Sequence, residues 1–200
     1  MELLTGFGLA TAAGLNAYIP LLALGLLSRF TDLVALPAGW SWLENGWVML
    51  IVAVLLAVEI VADKIPGLDS VNDTIQTFVR PTAGGIVFGS GTAAQTAAVT
   101  DPGAFASSGQ WIGVVIGIVT ALVVSLTKSA VRPVANIGSA GMAAPVLSTA
   151  EDVTSVGLVF VSLLLPLLVL VALALVVFAV FGVWRRRRRT RAADRVEPTG

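Results

Sequence analysis

Four stretches of this chain, Leu3 to Ser28, Trp47 to Ala62, Trp111 to Thr127 and Val153 to Val183, carry almost no charge. Each is long enough, or nearly so, to cross hydrocarbon about 30 Å thick. Charged residues make up 12% of the 200, against roughly 25% in soluble proteins, so water would not tolerate the resulting surface. The expectation is an all-α integral membrane protein.

Met1-Glu2 is an acidic start, and the first apolar stretch is long and interrupted by Asn16 and Tyr18, so no cleavable signal is expected. The chain has no cysteine, which excludes disulfides and thiolate chemistry, and no histidine, which removes the usual metal ligand and near-neutral proton carrier. Without histidine no ordinary hydrolase triad can be built, and no phosphate-cradling glycine loop is present. An enzyme is not expected, and neither is a cofactor.

Seven of the twelve basic residues lie in the tail, Arg185 to Arg189, Arg191 and Arg195. A basic block directly after a long apolar helix is an orientation signal that places the C-terminus in the cytoplasm. It also suits anionic headgroups, at about 1 kcal/mol per basic residue near the surface. Nothing aromatic or folded accompanies it, so nucleic acid is not an expected partner.

Six membrane segments fit best: Leu3 to Ser28, Trp47 to Ala62, Thr82 to Val99, Trp111 to Thr127, Val134 to Leu147 and Val153 to Val183. Asp69 to Val79 reads as a short amphipathic piece at the interface. Counting inward from the tail puts Lys64, Arg80, Lys128 and Arg132 on the cytoplasmic side, with both termini inside a bacterial plasma (inner) membrane. Asp32, Glu44, Asp101, Glu151 and Asp152 fall in outer loops. The fifth segment is the short one. A re-entrant 134–149 would leave five crossings and invert everything before it.

The pattern also repeats. Phe7-Gly8-Leu9-Ala10-Thr11-Ala12-Ala13 returns as Phe88-Gly89-Ser90-Gly91-Thr92-Ala93-Ala94, with a degraded echo at Gly141-Met142-Ala143-Ala144. Trp47 and Trp111 each precede a lysine, Lys64 and Lys128, by seventeen positions, and Val79-Arg80-Pro81 matches Val131-Arg132-Pro133. These predict about six transmembrane helices as three parallel two-helix repeats, approximately 3–79, 80–131 and 132–184, with short or broken helices 3 and 5. Residues 1–184 then form one transmembrane domain, and 185–200 a basic cytoplasmic tail. Helices one, three and five, rich in small residues, would pack near the axis, with two, four and six facing lipid. The long sixth segment must tilt, bend at Pro166 or protrude.

Glu59 and Asp63 project from one helix face, and an ionisable group at Glu59's depth suggests a cation or proton site, with Lys64 or a neighbouring helix's basic group as partner. A boundary pair snorkelling to water is the plain alternative. Arg80 and Arg132, each before a proline at an expected helix start, suit an anionic group held by bidentate bonds, or simple positive-inside anchoring. Asp69 and Asp73 are another pair four apart, followed by Gln76 and Arg80 on nearly the same face; they suit a helix cap or a gate. Asn16, near a possible kink at Pro20, and Gln95 are mid-membrane polar groups that either bond across helices or line a path.

Gly14-Leu15-Asn16-Ala17-Tyr18-Ile19-Pro20-Leu21-Leu22, Asp63-Lys64-Ile65-Pro66-Gly67-Leu68-Asp69 and the paired Val-Arg-Pro together resemble a bacterial membrane family catalogued as domain of unknown function 4126. The resemblance covers about residues 5 to 183 and implies a small multipass protein without a settled activity. Mitochondrial carriers share a six-helix, three-repeat layout, but their Pro-x-acid-x-x-basic signature is missing here.

The leading function is a small transporter or channel for an unknown solute or ion, with Asn16, Glu59, Asp63, Lys64, Asp69, Asp73, Arg80, Gln95, Lys128 and Arg132 along its path or at its vestibule. The rivals are a non-transporting membrane scaffold or accessory subunit, and a protein that handles lipid phosphate; a homo-oligomer is compatible with each. A closed axis with charges facing water would favour the scaffold. A lateral opening beside Arg80 and Arg132 would favour lipid handling.

Overall fold

Asn16 divides the first apolar segment. Its side-chain Oδ1 accepts the backbone N–H groups of Tyr18 at 3.1 Å and Ile19 at 3.2 Å, so a new helix starts where the old one would have continued. In the computed structural model, which describes residues 2–65, 68–92, 109–138, 143–165, 168–169, 171, 174–178 and 181, the result is two short helices, α1 (Glu2–Leu15) and α2 (Tyr18–Phe30). Pro20 falls in the first turn of α2, where its missing N–H costs nothing, so the break comes before the proline rather than at it.

A 3-10 strap (Ala38–Glu44) follows, then α3 (Gly46–Ala62), α4 (Leu68–Thr92), α5 (Gln110–Gly138) and α6 (Ala143–Leu164). Among the described residues there is no strand. Asn45 caps α3 by accepting the N–H of Trp47 at 2.9 Å. The strap is tied back to α2, because Ser28 donates to the Glu44 carboxylate at 2.6 Å and Arg29 to the Glu44 carbonyl at 2.8 Å.

Small residues decide which helices meet. Phe7 of α1 and Phe88 of α4 stack edge to face at 5.1 Å, and Gly91 lies against Gly6 and Leu9. At the opposite end of α1, Gly14 faces Ala121 and Val124 of α5. Gly84 of α4 meets Gly117 and Ala121 of α5 so closely that a Cβ there would strike the Gly117 carbonyl. Gly8 abuts Ser162 of α6. The inner group is therefore α1, α4, α5 and α6, with α2, the strap and α3 outside it. The fourth predicted segment (α5) is not peripheral, since α4 and α1 both pack against its small face.

The chain passes one common level repeatedly. Tyr18, at the start of α2, pairs with Gln76 of α4, whereas Trp40 in the strap lies against Gly89. The chain thus climbs alongside α4 over α2 and the strap, and both α1 and α2 stand on one side of the level marked by Asn16. Leu3 to Ser28 is a hairpin with its tip at Asn16, not one continuous helix.

Three further expectations change. Pro81 and Pro133 do not start helices: they lie inside α4 and α5, which run through them. The expected breaks fail to appear because only one backbone bond is lost at each proline, and neighbouring helices hold the segments in place. Val134 to Leu147 is not one helix, because α5 continues to Gly138 and α6 begins at Ala143. From Arg132 to Gly138 is about 9 Å of helix, and from Ala143 to Glu151 about 12 Å, far short of a crossing. Glu151 and Asp152 therefore return to the level of Arg132 and Lys64 instead of occupying an outer loop. Finally, the two Phe-Gly copies run in opposite directions, since Phe7 and Phe88 meet while α1 ends and α4 is still passing through the charged level at Arg80. Like-oriented repeats do not describe this pair.

α6 ends at Leu164, just before Pro166. Pro166 itself, the tail 185–200, Gln95 and Asp101 lie outside the described residues.

Two helices, Trp111–Pro133 and Ala144–Leu164, are long and apolar enough to cross a membrane. Only 28% and 22% of their apolar windows are buried, unlike the core helices of a water-soluble domain. Leu50, Ile51, Val54 and Val58 of α3 are exposed, as are Leu68, Val71, Ile75 and Phe78 of α4.

Candidate functional site

Helical spacing brings charge to the common level. Glu59 and Asp63 lie one turn apart at the end of α3. Asp73, Gln76 and Arg80 share a face of α4, Ser125, Lys128 and Arg132 a face of α5, and Ser148, Glu151 and Ser155 a face of α6. All of these faces turn inward.

Asp63 is the hub. Its Oδ2 lies 2.8 Å from Arg132 Nη2, 3.3 Å from Lys128 Nζ and 4.0 Å from Arg80 Nη2, while its Oδ1 accepts from the Asn72 amide at 2.7 Å. Arg80, with no exposed surface, donates to Glu59 Oε1 and Asp73 Oδ1, each at 3.1 Å. Arg132 reaches Glu151 at 2.5 Å and Asp73 at 3.5 Å, and Lys128 reaches Glu151 at 3.0 Å. A looser pair, Lys64 with Asp152 at 3.8 Å, lies at the edge. Removing so many charges from water costs several kcal/mol per ion, and only dense mutual pairing offsets it.

The tip of the first hairpin is joined to this cluster. Lys128 Nζ donates to the Leu15 carbonyl at 2.9 Å, and the Ser155 hydroxyl donates to the Ala12 carbonyl at 3.0 Å. Both carbonyls belong to the last turn of α1, where the helix dipole is negative, so a cation is well placed beside Leu15; the Ala12 carbonyl also accepts the Asn16 N–H at 3.0 Å. The Asn16 amide donates to Asp152 at 2.9 Å, linking the hairpin to α6.

Several buried atoms of the cluster have no hydrogen-bond partner: Glu59 Oε2, Gln76 Oε1, Arg80 Nε, Arg132 Nη1 and the hydroxyls of Ser125, Ser129 and Ser148. Glu59 is the acid with the fewest cations. One of its oxygens meets Arg80, and the other meets nothing.

Of the ten residues singled out from sequence, the structure brings together Asn16, Glu59, Asp63, Lys64, Asp73, Arg80, Lys128 and Arg132. The Asp69 side chain and Gln95 are outside the described residues. Glu59 pairs with Arg80 rather than Lys64, whose Nζ instead caps the Ile60 carbonyl at 3.2 Å and faces Asp152. Glu59 does not snorkel, being 1% exposed. Carboxylates pair with both arginines, while Arg80 Nε and Arg132 Nη1 have no hydrogen-bond partner. Sequence reasoning missed Glu151, Asp152, Asn72 and Ser155. The signal was present in Ser148, Glu151, Asp152 and Ser155, a polar stripe at helical spacing in an otherwise apolar stretch.

A model of the family described as domain of unknown function (DUF4126) matches residues 3–186. The chain belongs to the DUF4126 family. Within DUF4126 the matched region takes in the whole charged cluster, from Asn16 to Asp152. No curated protein and no solved structure matches this DUF4126 chain.

Proposed function

We propose that this DUF4126 protein is a small multipass membrane transporter or channel, with a path that runs past the buried charges at the tip of the first hairpin. The observation that carries the reading is the position of those charges. Exposed apolar side chains flank them on both sides, Val54 and Val58 of α3 on one and Leu68, Val71 and Val146 on the other. Ionisable groups placed inside a bilayer and turned toward one another are costly, and are kept where they serve an ion or solute route. A helix interrupted at the same depth is the usual way a transporter exposes helix ends to its cargo.

A scaffold would leave its charges facing water, and here they face inward. A lipid phosphate would have to displace carboxylates already paired with both arginines. Thr5 donates to the Ser162 carbonyl at 3.0 Å, so the start of α1 and the end of α6 share one face. The arginine tail supports a cytoplasmic C-terminus.

The test is flux in vesicles holding the purified protein, with K+, Na+, H+ and Cl− gradients followed by ion-sensitive dyes. The expected result is transport above empty vesicles for at least one of these, lost in both Glu59→Gln and Arg132→Ala while folded protein is recovered. Wild-type rates in both variants would remove the assignment.

A further inference from the structure

The cluster contains one more acid than it has bases. Arg80, Lys128 and Arg132 supply three positive charges, while Glu59, Asp63, Asp73 and Glu151 supply four negative ones. Lys64 and Asp152 cancel at the edge. Among the described residues no other element restores the balance: α1 carries only the distant Glu2, and α2 contributes at this level only the phenol of Tyr18. The Asp69 side chain of α4 is outside the described residues.

An uncompensated negative charge at this depth is far too costly to leave standing. Its position can be read from the pairing. Asp63 faces three cations, and Asp73 and Glu151 face two each. Glu59 faces one within 4 Å, and its Oε2 has no partner. Among the described residues no group of three acidic side chains is arranged to hold a metal ion. A single bare oxygen suits a proton, whereas hard cations require several oxygen ligands.

We propose that Glu59 is a proton-carrying site: at neutral pH it holds one exchangeable proton on Oε2, and it is the group through which this protein takes up and releases protons. Uptake forms an O–H bond at Oε2 with a proton delivered by water and leaves the cluster neutral. Release returns that proton to water and leaves a carboxylate whose one ion-pair partner among the described residues is Arg80. This deepens the transport reading and takes its physiological meaning from it.

The test is infrared spectroscopy of the purified protein in vesicles at neutral pH, reading the carbonyl stretch of a protonated carboxyl group. Wild type should show this band, shifted on transfer to D2O, and Glu44→Gln in the distant strap should leave it unchanged. Glu59→Gln should lose it. Glu59→Asp, which keeps the charge count and covers the case in which the amide variant does not fold, should retain the band at a changed frequency. Absence of the band in wild type, no shift in D2O, or an unmoved band in Glu59→Asp would each overturn the proposal. The band is read without any solute moving. Flux without it removes the proton site alone, and the band without flux removes the transport reading alone.

Discussion

Asp63→Asn isolates the contribution of the hub. The substitution keeps the shape, and the amide oxygen can still accept from Asn72, but the charge is lost together with the Oδ2 acceptor that Arg132 and Lys128 use. In wild type that charge lies 2.8 Å from Arg132, 3.3 Å from Lys128 and 4.0 Å from Arg80. At an effective dielectric constant near 20, each such pair contributes gross attraction of about 4 kcal/mol or more. Most of this is offset by desolvation of the carboxylate and by repulsion from the other acids. Breaking a buried pair by removing one partner leaves a net cost of about 3–5 kcal/mol. The assay is reversible unfolding in mixed micelles followed by tryptophan fluorescence, to which Trp40, packed on Gly89, reports directly. Adding Lys128→Met to Asp63→Asn removes a matching cation and should recover part of the loss, because the two residues are in contact and their effects are not additive. A cost below about 1 kcal/mol for the single variant would refute the view of Asp63 as hub.

Asn16→Ala removes both the cap on α2 and the bond to Asp152. Loss of a cap alone costs about 1 kcal/mol, so a total of about 1–3 kcal/mol is expected in the same unfolding assay. Gly84→Leu inserts a side chain between α4 and α5 where the Gly117 carbonyl and Ala121 already lie. Overpacking of this kind costs about 1–3 kcal/mol and should lower the thermal midpoint, whereas Gly157→Leu, with open space around it, should not.

The helical class was legible because charge is scarce over long stretches, a signal that survives any error in topology. Most of the cluster was legible for the converse reason: a charge inside such a stretch stands out. What could not be read was how far each segment travels. Glu151 and Asp152 were assigned to a loop by counting alternate crossings, a rule that assumes every apolar run crosses. The run after Arg132 turns back within a few helical turns because its own charges need Glu151. In the first segment the sequence offers polar Asn16 and a possible kink at Pro20. Asn16 prevails because its side chain caps the next helix and bonds α6 at once, which a proline cannot do. Pro81 and Pro133 misled for the same reason in reverse: local stiffness predicts a helix end, and packing on neighbouring helices decides otherwise.

The depth of the cluster remains the quantity on which the functional reading turns, and helix lengths bound it. α1 has 14 residues and α2 has 13, about 20 Å each, so neither spans a 30 Å core before stopping at the charged level. The remaining thickness has to come from the other side, where the first half of α4, the end of α5 and the start of α6 extend about 9–18 Å from the charged level. If that side is embedded, the charges sit inside the bilayer; if it lies flat at the interface, as an amphipathic piece would, they face headgroups. The absence of cysteine makes the distinction measurable with one label at a time. Val71 lies nine residues before Arg80 on an exposed face, about 13 Å along the helix. A spin label on Val71→Cys should be relaxed by oxygen, which concentrates in hydrocarbon, more than by a water-soluble metal complex, matching a label on Val58→Cys from the other side. The opposite preference at Val71 would put the cluster at the membrane surface, where buried charge needs no transport role to explain it.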